Sequence, residues 1–297
     1  MTALSFQSFA KEHKAMVEAE LTKQVEKLAA PEVLKESMIY SLEAGGKRIR
    51  PLLVFAVLDA FGKSTKIGLQ AACSIEMIHT YSLIHDDLPA MDDDDIRRGK
   101  PTNHIMFGEA NAVLAGDALL THSFYVIAAM DDPEVSAEQK IAVIKEISRC
   151  AGAEGMVGGQ TADMQAEGAS ISLEQLEYIH EHKTGKLLTC SVLAGAILAG
   201  ASERQKAKLA EFSHHLGLAF QIRDDILDIE GNEEVIGKPV GSDVSNQKNT
   251  YPALLTLKGA KDKLEEETNK ALAALDSLQL QGDQLVQITN LIARRDY

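Results

Sequence analysis

Apolar residues recur at helical spacing along almost the entire chain. Leu209, Phe212, Leu216 and Phe220, for example, fall three or four residues apart and share one side of a helix. The strict alternation that indicates β-strands is nearly absent, and no Asn-Gly or Asp-Gly pair offers a hairpin turn. Many segments are rich in Ala, Leu, Glu, Lys and Gln, which favour helix. We therefore predict an all-α fold.

Breaks in this pattern divide the chain into roughly ten helices. They fall where Gly, Pro or short polar residues cluster, at 30–31, 61–65, 99–103, 131–133, 167–170, 200–202 and 230–245. No break resembles a linker, so residues 1–297 are predicted to form a single domain. The segments 110–130 and 187–200 are apolar on nearly all sides, which predicts that other helices wrap them. The expected architecture is a central helical bundle with outer helices around it.

Composition narrows the class of protein. The chain has 297 residues, of which 45% are hydrophobic and 25% charged, enough to bury a large core. Its formal net charge of −14 repels nucleic acid and anionic lipid surfaces, so neither is an expected partner. The most apolar stretch, 187–200, is shorter than the roughly 20 residues that span a bilayer, which argues against stable membrane insertion. A phosphate ligand would need locally gathered cations or a metal.

Neither a secretory signal nor a cysteine framework is indicated. The first residues become charged by Lys11 and lack a basic start followed by a long apolar run. Cys73, Cys150 and Cys190 are odd in number, far apart and without CxxC spacing, so they suggest no disulfides and no zinc site. The expected location is the cytoplasm.

The first of two acidic clusters lies directly after an apolar helix. Six aspartates fall between Asp86 and Asp95, and Asp86 and Asp87 follow the apolar segment that ends at His85. Carboxylates at the edge of a core are costly without a counter-ion. An ordinary solvated acidic loop is the alternative interpretation.

The second cluster, Phe220–Asp228, lies within a helical pattern. Asp224 and Asp228 are four residues apart and so share one side of a helix, with Gln221 three residues earlier. Their like charges repel unless a divalent cation lies between them. Carboxylates without His or Cys suit magnesium better than zinc. A chance surface pair is possible for this cluster alone, but together the two clusters predict one magnesium site for a diphosphate-bearing substrate.

Cations gather at a few places despite the negative total. They occur in GGKRIRP at 45–51, RRGKP at 97–101 and HKTGK at 182–186, and at Lys238 and Lys248. Arginine and lysine side chains are the usual holders of phosphate oxygens. A solvated basic surface is the alternative for some of them, and His79, within an apolar helix, fits a core histidine as well as a ligand contact.

These residues resemble the trans-isoprenyl diphosphate synthase family, most closely its bacterial farnesyl diphosphate synthases. The likeness covers the whole chain and rests on six motifs in order: GGKRIRP, DDLPAMD at 86–92, RRGKPT, GGQTADM at 158–164, HKTGKL and DDILD at 224–228. It implies a helical bundle around a deep central cavity, and it implies a homodimer. It also implies the reaction that the protein catalyses. In that reaction isopentenyl diphosphate condenses with an allylic diphosphate, dimethylallyl and then geranyl, to give farnesyl diphosphate and diphosphate.

The resemblance also implies roles for individual residues. The diphosphate of isopentenyl diphosphate would be held by Lys47, Arg50, His79 and Arg98. The allylic diphosphate would be held by Arg97, Lys183, Thr184, Gln221, Lys238 and Lys248. Three magnesium ions would be bound by Asp86, Asp92 and Asp224, with Asp87, Asp225 and Asp228 assisting. Catalysis would depend chiefly on Asp86, Asp87, Asp92, Arg97, Lys183 and Asp224, and Gln160 and Asp163 would line the cavity.

The length of the prenyl product would be set beside the helix that carries the first aspartate motif. Tyr81 lies five residues before Asp86, roughly one and a half turns away at about 1.5 Å per residue. Its ring would form the floor of the cavity, and Tyr81 with Ser82 resembles the farnesyl pattern. Plain core packing is the alternative for Tyr81.

Arg294 and Arg295 either cover the site or form an ordinary charged tail, and the tail is the preferred interpretation.

Three other functions are alternatives to farnesyl diphosphate synthesis. A geranylgeranyl diphosphate synthase would use the same chemistry. A class I terpene cyclase is disfavoured because its second metal motif usually mixes Asn or Asp with Ser or Thr and Glu, whereas this chain has DDILD. A noncatalytic synthase subunit is disfavoured because both aspartate motifs are intact.

Overall fold

The computed structural model describes residues 5–230 and 249–295, which are almost entirely helical. A 3-10 helix, Thr65–Gly68, precedes α4, and a π-helical turn, Glu181–Gly185, joins α9 to α10. The other described elements, in chain order, are α1 Phe6–Glu26, α2 Glu32–Leu42, α3 Ile49–Ala60, α4 Leu69–Asp86, β1 Ile96–Arg97, β2 Lys100–Pro101, α5 Asn103–Phe107, α6 Glu109–Ala128, α7 Ala137–Ala151, α8 Met156–Ala166, α9 Leu173–His180, α10 Lys186–Ala199, α11 Glu203–Glu230, α12 Tyr251–Asp276 and α13 Gln284–Arg294. The predicted all-α fold is confirmed.

The described residues fall into two compact units. The first comprises residues 5–55 and 64–144, and the second comprises 56–63, 145–230 and 249–295. The prediction of a single domain stays a prediction.

Helix α4 lies at the centre of the first unit. All residues from Ala71 to Ile78 are buried, as the apolar composition of this segment predicts. Its last turn is fixed against α6, where the His85 Nε2–H donates to the Val113 carbonyl oxygen at 3.1 Å. Gly116 makes this approach possible, because a Cβ there would lie 2.1 Å from His85 Nε2. The end of α4, where the first aspartate motif begins, is therefore held in a defined position.

The two segments predicted to be wrapped by other helices differ. Most of α10 is buried, as expected, and a left-handed Gly200 with φ 73° ends it. The prediction for 110–130 is wrong, because α6 exposes Val113, Leu114 at 55% and Tyr125 at 63%. Apolar composition on all sides does not distinguish a helix wrapped within its own chain from one that leaves an apolar face exposed.

The second unit has its core between α9, α11 and α12. The buried residues in this core are Leu176, Leu218, Ala219, Ile222, Ile226, Tyr251, Ala260 and Leu264. At the start of α12, the Tyr251 N–H donates to the carboxylate of Asp225 at 2.8 Å. Asp225 therefore satisfies a backbone donor that the first turn of a helix leaves unpaired.

Most predicted breaks coincide with helix ends, but the one at 230–245 lies almost wholly outside the described residues. The sequence interpretation missed the breaks at 43–48, 152–155 and 277–283. At the first of these, Gly45 and Gly46 have φ of 85° and 129°, which a glycine adopts at little cost.

All three cysteines are free and buried. Among the described helices, none is both long and apolar enough to cross a membrane.

Candidate functional site

The first aspartate motif folds back on the end of α4. Asp86 is the last residue of α4 and Asp87 is its C-cap. The Asp92 N–H donates to the Asp86 carbonyl oxygen at 2.8 Å, and Asp93 adopts a left-handed conformation with φ 53°. Asp86 and Asp92 are thus neighbours, although five residues separate them in sequence. Two carboxylates at the negative end of a helix dipole attract a cation.

Asp87 faces away from solvent and holds an arginine. Its side chain is buried, and Arg97 Nε donates to its Oδ1 at 2.7 Å. Arg97 also lies 3.7 Å from a carboxylate oxygen of Asp94. Burial raises the pKa of the Asp87 carboxyl, and the hydrogen bond from Arg97 limits that rise. Asp87 therefore holds Arg97 in place, and its predicted assisting role at the metal stays a prediction.

A two-residue turn between β1 and β2, in the RRGKP motif, orients Arg98. Strands β1 and β2 pair Ile96 with Pro101 and Arg97 with Lys100. Arg98 and Gly99 between them have φ of 53° and 74°, the positive values that a type I′ hairpin turn requires. A left-handed arginine costs about 1–3 kcal/mol, so surrounding contacts must maintain it.

Arg98 packs on the glycine loop, which is defined here as residues 43–48 between α2 and α3. Its Nη1 donates to the Gly45 carbonyl oxygen. A Cβ on Gly46 would lie 2.9 Å from the guanidinium carbon of Arg98, so only glycine leaves room for this contact. Sequence reasoning placed Arg98 and the glycine loop at the same substrate, and the structure brings them into contact.

His79 on α4 lies among guanidinium groups. Burial lowers the pKa of its imidazole well below the ordinary value, and so do the positive charges of Arg50, Arg98, Arg48 and Arg97. A neutral imidazole in such a cationic environment can donate a hydrogen bond to an anion without adding a charge that would have to be desolvated. Lys47 is exposed on the glycine loop, and Arg50 is half-buried in the first turn of α3. This part of the first unit is suited to an anionic ligand.

The second aspartate motif lies near the end of α11. Asp224 and Asp228 are half-buried on one side of the helix, together with Gln221. Asp225, on the same helix, is buried and accepts a hydrogen bond from the first residue of α12. An Asp224 carboxylate oxygen lies 2.5 Å from a guanidinium nitrogen of Arg295. Asp224 therefore already faces a cation.

Arg295 is not part of an ordinary charged tail, so that interpretation is wrong for this residue. It is 8% exposed, its guanidinium lies 4.0 Å from the centre of the Phe220 ring, and its carbonyl oxygen accepts hydrogen bonds from Arg223. Its neighbour Arg294 is exposed, as expected of a tail. Nothing in the sequence distinguishes the two arginines, because their difference arises from where the chain end packs.

Lys183 and Thr184 lie in the π-helical turn. Lys183 Nζ is 2.5 Å from a carboxylate oxygen of Asp163. A Cβ on Gly159, in the GGQTADM motif, would lie 2.1 Å from the Lys183 backbone nitrogen. π-helical turns within α-helices are frequent at functional sites. Lys238 and Lys248, predicted to join Lys183 in binding, lie outside the described residues.

Tyr81 and Ser82 follow His79 on α4. Tyr81 is 6% exposed, and its ring packs edge-on against His85 with centroids 5.7 Å apart. Burial, with a smaller contribution from the charge of Asp86, raises the pKa of Tyr81 to about 12, so its hydroxyl stays protonated. Ser82 is half-buried, and its hydroxyl donates to the His79 carbonyl oxygen at 2.9 Å.

The donor chemistry of these motifs fits magnesium. Within the described ranges, no three His, Cys, Asp or Glu side chains converge as a ready-made metal cage. Magnesium seldom uses such a cage, because it keeps waters and binds one or two carboxylates together with substrate phosphates. The Asp86 and Asp92 pair, and Asp224 on α11, are carboxylates of the kind that this ion takes.

Comparisons with known proteins give a consistent result. The profile of the polyprenyl synthetase family matches residues 31–287. The farnesyl diphosphate synthase of Geobacillus stearothermophilus is 57% identical over 297 residues, all of both chains. That of Bacillus subtilis (strain 168) is 58% identical over 98% of each chain. Among solved structures, a Helicobacter pylori geranyltransferase complexed with magnesium and isoprenyl diphosphate has a TM-score of 0.82 and 33% identity over 98% of this chain and 97% of that chain.

Proposed function

The chain belongs to the polyprenyl synthetase family, and from that membership we propose that it condenses isopentenyl diphosphate with an allylic diphosphate. Dimethylallyl diphosphate and then geranyl diphosphate are the allylic substrates, farnesyl diphosphate is the product, and diphosphate is released. The observation that carries this proposal is the 57% identity to a farnesyl diphosphate synthase along the full length of both chains. The family's chemistry depends on magnesium.

Isopentenyl diphosphate is assigned to the cationic part of the first unit. Lys47, Arg50 and Arg98 supply positive charge, and His79 supplies a neutral donor among them. A diphosphate carries several acceptor oxygens, which arginine forks bind at two points and lysine binds as a point charge. The contact of Arg98 with the glycine loop supports their common role.

The allylic diphosphate is assigned to Arg97, Lys183, Thr184 and Gln221, with Lys238 and Lys248 as further candidates. Asp86, Asp92 and Asp224 are the proposed ligands of magnesium, with three ions per active site. When bound, magnesium would neutralise the charge that develops on the departing diphosphate. Asp87 keeps Arg97 aimed, so that its guanidinium need not reorganise as that charge develops.

The reaction needs no protein nucleophile. The allylic carbon–oxygen bond breaks, the double bond of isopentenyl diphosphate attacks the resulting cation, and a proton leaves the new carbon skeleton. Excluding water protects the cation from hydrolysis. The released diphosphate is the assigned proton acceptor, so no side chain is required as a base.

The farnesyl product is favoured over geranylgeranyl diphosphate by Tyr81. Its buried ring lies on α4 five residues before Asp86, which supports a cavity floor at that depth. The cytoplasmic location stays a prediction.

A product assay tests this function. The purified protein is incubated with magnesium, radiolabelled isopentenyl diphosphate, and either dimethylallyl or geranyl diphosphate, and the products are separated by chain length. Fifteen-carbon product is expected from both starters. Mainly twenty-carbon product would indicate the geranylgeranyl enzyme, a cyclic hydrocarbon formed without isopentenyl diphosphate would indicate a cyclase, and inactivity of the pure chain would support a noncatalytic subunit.

We further propose that the protein is a homodimer, with the exposed apolar face of α5 and α6 at the interface. This face comprises Ile105, Met106, Val113, Leu114 and Tyr125, which are 39–63% exposed. Exposed apolar side chains on two helices that pack against each other indicate a partner surface. A second copy of the chain is the occupant that family membership favours.

Leu114→Glu should convert the dimer into a monomer, because it places an unpaired charge in an apolar interface. Light scattering after size-exclusion chromatography should show the mass fall from twice to once that of the chain. Ile141→Glu, which changes a 66% exposed residue on α7, is the matched control and should leave the dimer intact. A Leu114→Glu variant that remains dimeric would rule out this face as the interface.

Gly159→Ala should lower kcat by about 100-fold, since a misplacement of about 1 Å in a positioning group can cost that much. The new Cβ would lie 2.1 Å from the Lys183 backbone nitrogen, so the π-helical turn must move. Gly185→Ala in the same turn is the control, because its Cβ would meet its nearest atom at 3.5 Å. Steady-state kinetics on both variants, with melting curves by circular dichroism, check the effect; equal kcat values for the two would contradict it.

A further inference from the structure

We propose that Arg48 is a positioning residue for the isopentenyl diphosphate site. Its ion pair with Glu76 ties the glycine loop to α4, the helix that carries His79. The proposal rests on the proposed function, because the residues being positioned are those assigned there to isopentenyl diphosphate. Arg48 itself is not assigned a contact with the substrate.

The side chain of Arg48 faces the interior, although it lies in the most cationic motif of the chain. It is 3% exposed. Its Nη1 donates to a Glu76 carboxylate oxygen at 2.7 Å, its Nη2 donates to the Leu42 carbonyl oxygen, and its Nε donates to Glu18 at 3.4 Å. One guanidinium thus joins the end of α2, helix α1 and helix α4. A buried charge persists only when it is paired in this way.

The backbone of Arg48 is also unusual. Its φ of 52° lies in the left-handed region, which a residue with a Cβ adopts only when surrounding contacts compel it. Its carbonyl oxygen accepts from the Leu52 N–H at 3.0 Å, so Arg48 begins the hydrogen-bond ladder of α3. Arg48 faces inward, whereas Lys47 is exposed and Arg50 is half-buried. The anchoring residue therefore lies between two residues that are assigned to isopentenyl diphosphate.

Glu76 connects this anchor to the histidine of the site. It is 2% exposed and lies three residues before His79 on α4, so the two residues are neighbours on the helix surface. An ion pair at Glu76 therefore sets the position of the glycine loop along α4. If the pair is lost, the loop cations are no longer held at a fixed distance from His79.

The other side of the loop is held independently. Arg98 donates to the Gly45 carbonyl oxygen and packs against Gly46. Removing Arg48 leaves that contact in place, so the loop should shift without unfolding. Residues assigned to the allylic diphosphate, such as Arg97, do not belong to the loop. The defect should therefore fall on isopentenyl diphosphate.

The test compares kinetic constants for the two substrates in Glu76→Gln, Arg48→Met and Arg48→Lys. The first two should raise KM for isopentenyl diphosphate about tenfold or more, with KM for geranyl diphosphate within about twofold and kcat within about threefold of wild type. Arg48→Lys should give an intermediate KM. Lysine keeps the charge beside Glu76 but lacks the fork that also reaches Leu42.

Leu21→Ala separates positioning from stability. It truncates a buried side chain on α1 of the same unit and should lower Tm without changing either KM. If Arg48→Met does not fold, Glu76→Gln and Arg48→Lys still decide the outcome. A KM for isopentenyl diphosphate within twofold of wild type, an equal rise for both substrates, or the same rise in Leu21→Ala would overturn the proposal.

Calorimetric titration with isopentenyl diphosphate in the absence of magnesium measures binding without turnover. Wild type should bind, and Arg48→Met and Glu76→Gln should bind about tenfold more weakly or worse. If wild type and both variants bind equally, only the positioning role fails. If wild type does not bind, the assignment of the isopentenyl diphosphate site fails, and the positioning role fails with it.

Discussion

Asp86→Ala should lower kcat by about 1000-fold, the scale of loss expected when a charge-stabilising group is removed from a transition state. Asp86 ends α4, where the helix dipole makes a carboxylate unfavourable without a cation. The hydrogen bond from Asp92 to the Asp86 carbonyl oxygen holds the second proposed ligand beside it. Removing the Asp86 carboxylate would leave Asp92 as the remaining proposed magnesium ligand of the first motif.

The fold should tolerate this change. Asp86 is half-buried, and its loss relieves repulsion between neighbouring carboxylates. Circular dichroism should show an unchanged helical spectrum. Magnesium with diphosphate should raise the Tm of wild type, and this rise should be smaller in Asp86→Ala. Asp95→Ala is the matched control, since it removes the same charge from an exposed position in the same acidic run. Wild-type turnover in Asp86→Ala would remove this residue from the mechanism.

Tyr81→Ala should shift the main product from fifteen carbons to twenty or more. The Tyr81 ring is buried beside His85, and its hydroxyl stays protonated, so it presents a neutral wall rather than a charge. Truncating it to alanine removes the whole phenol ring, and the space left should admit a further five-carbon unit. Separation of radiolabelled products by chain length measures the shift.

If Tyr81 were only a packing residue, Tyr81→Ala would lower Tm and leave the product unchanged. Aromatic-to-alanine truncation of a buried residue costs about 3–5 kcal/mol, so Tyr81→Ala should also melt at a lower temperature. Met77→Ala, one turn earlier on α4 and fully buried, controls for this loss and should keep the fifteen-carbon product. Tyr81→Phe keeps the ring and should keep the product too. An unchanged product in Tyr81→Ala would leave Tyr81 as a packing residue.

The local geometry of the two aspartate motifs follows from their spacing in the sequence. Asp224 and Asp228 share one side of α11, as a spacing of four residues requires, and Asp86 ends its helix as the apolar run before it suggests. The roles assigned to individual side chains remain proposals. The prediction that failed for Arg295 concerned a contact across 71 residues, to Asp224, for which a local pattern carries no information.

Helix α6 shows the same limit for burial. Its Ala- and Leu-rich sequence predicts a helix correctly, because helix propensity is a property of each residue. Whether Leu114 and Tyr125 are covered depends on which helices pack beside them. Composition suggested that they were wrapped, and the structure leaves them exposed.

The sequence by itself determined the all-α class, the positions of the two aspartate motifs and the carboxylate groups they offer, because helical periodicity and side-chain type are local properties. Only the tertiary structure decided that Asp87 holds Arg97 and that Asp92 returns to Asp86. It also decided that Arg48 faces inward. The physical reason is that a buried ion pair or a close backbone approach depends on segments distant in sequence, and neighbouring residues of the same type can then have opposite surroundings.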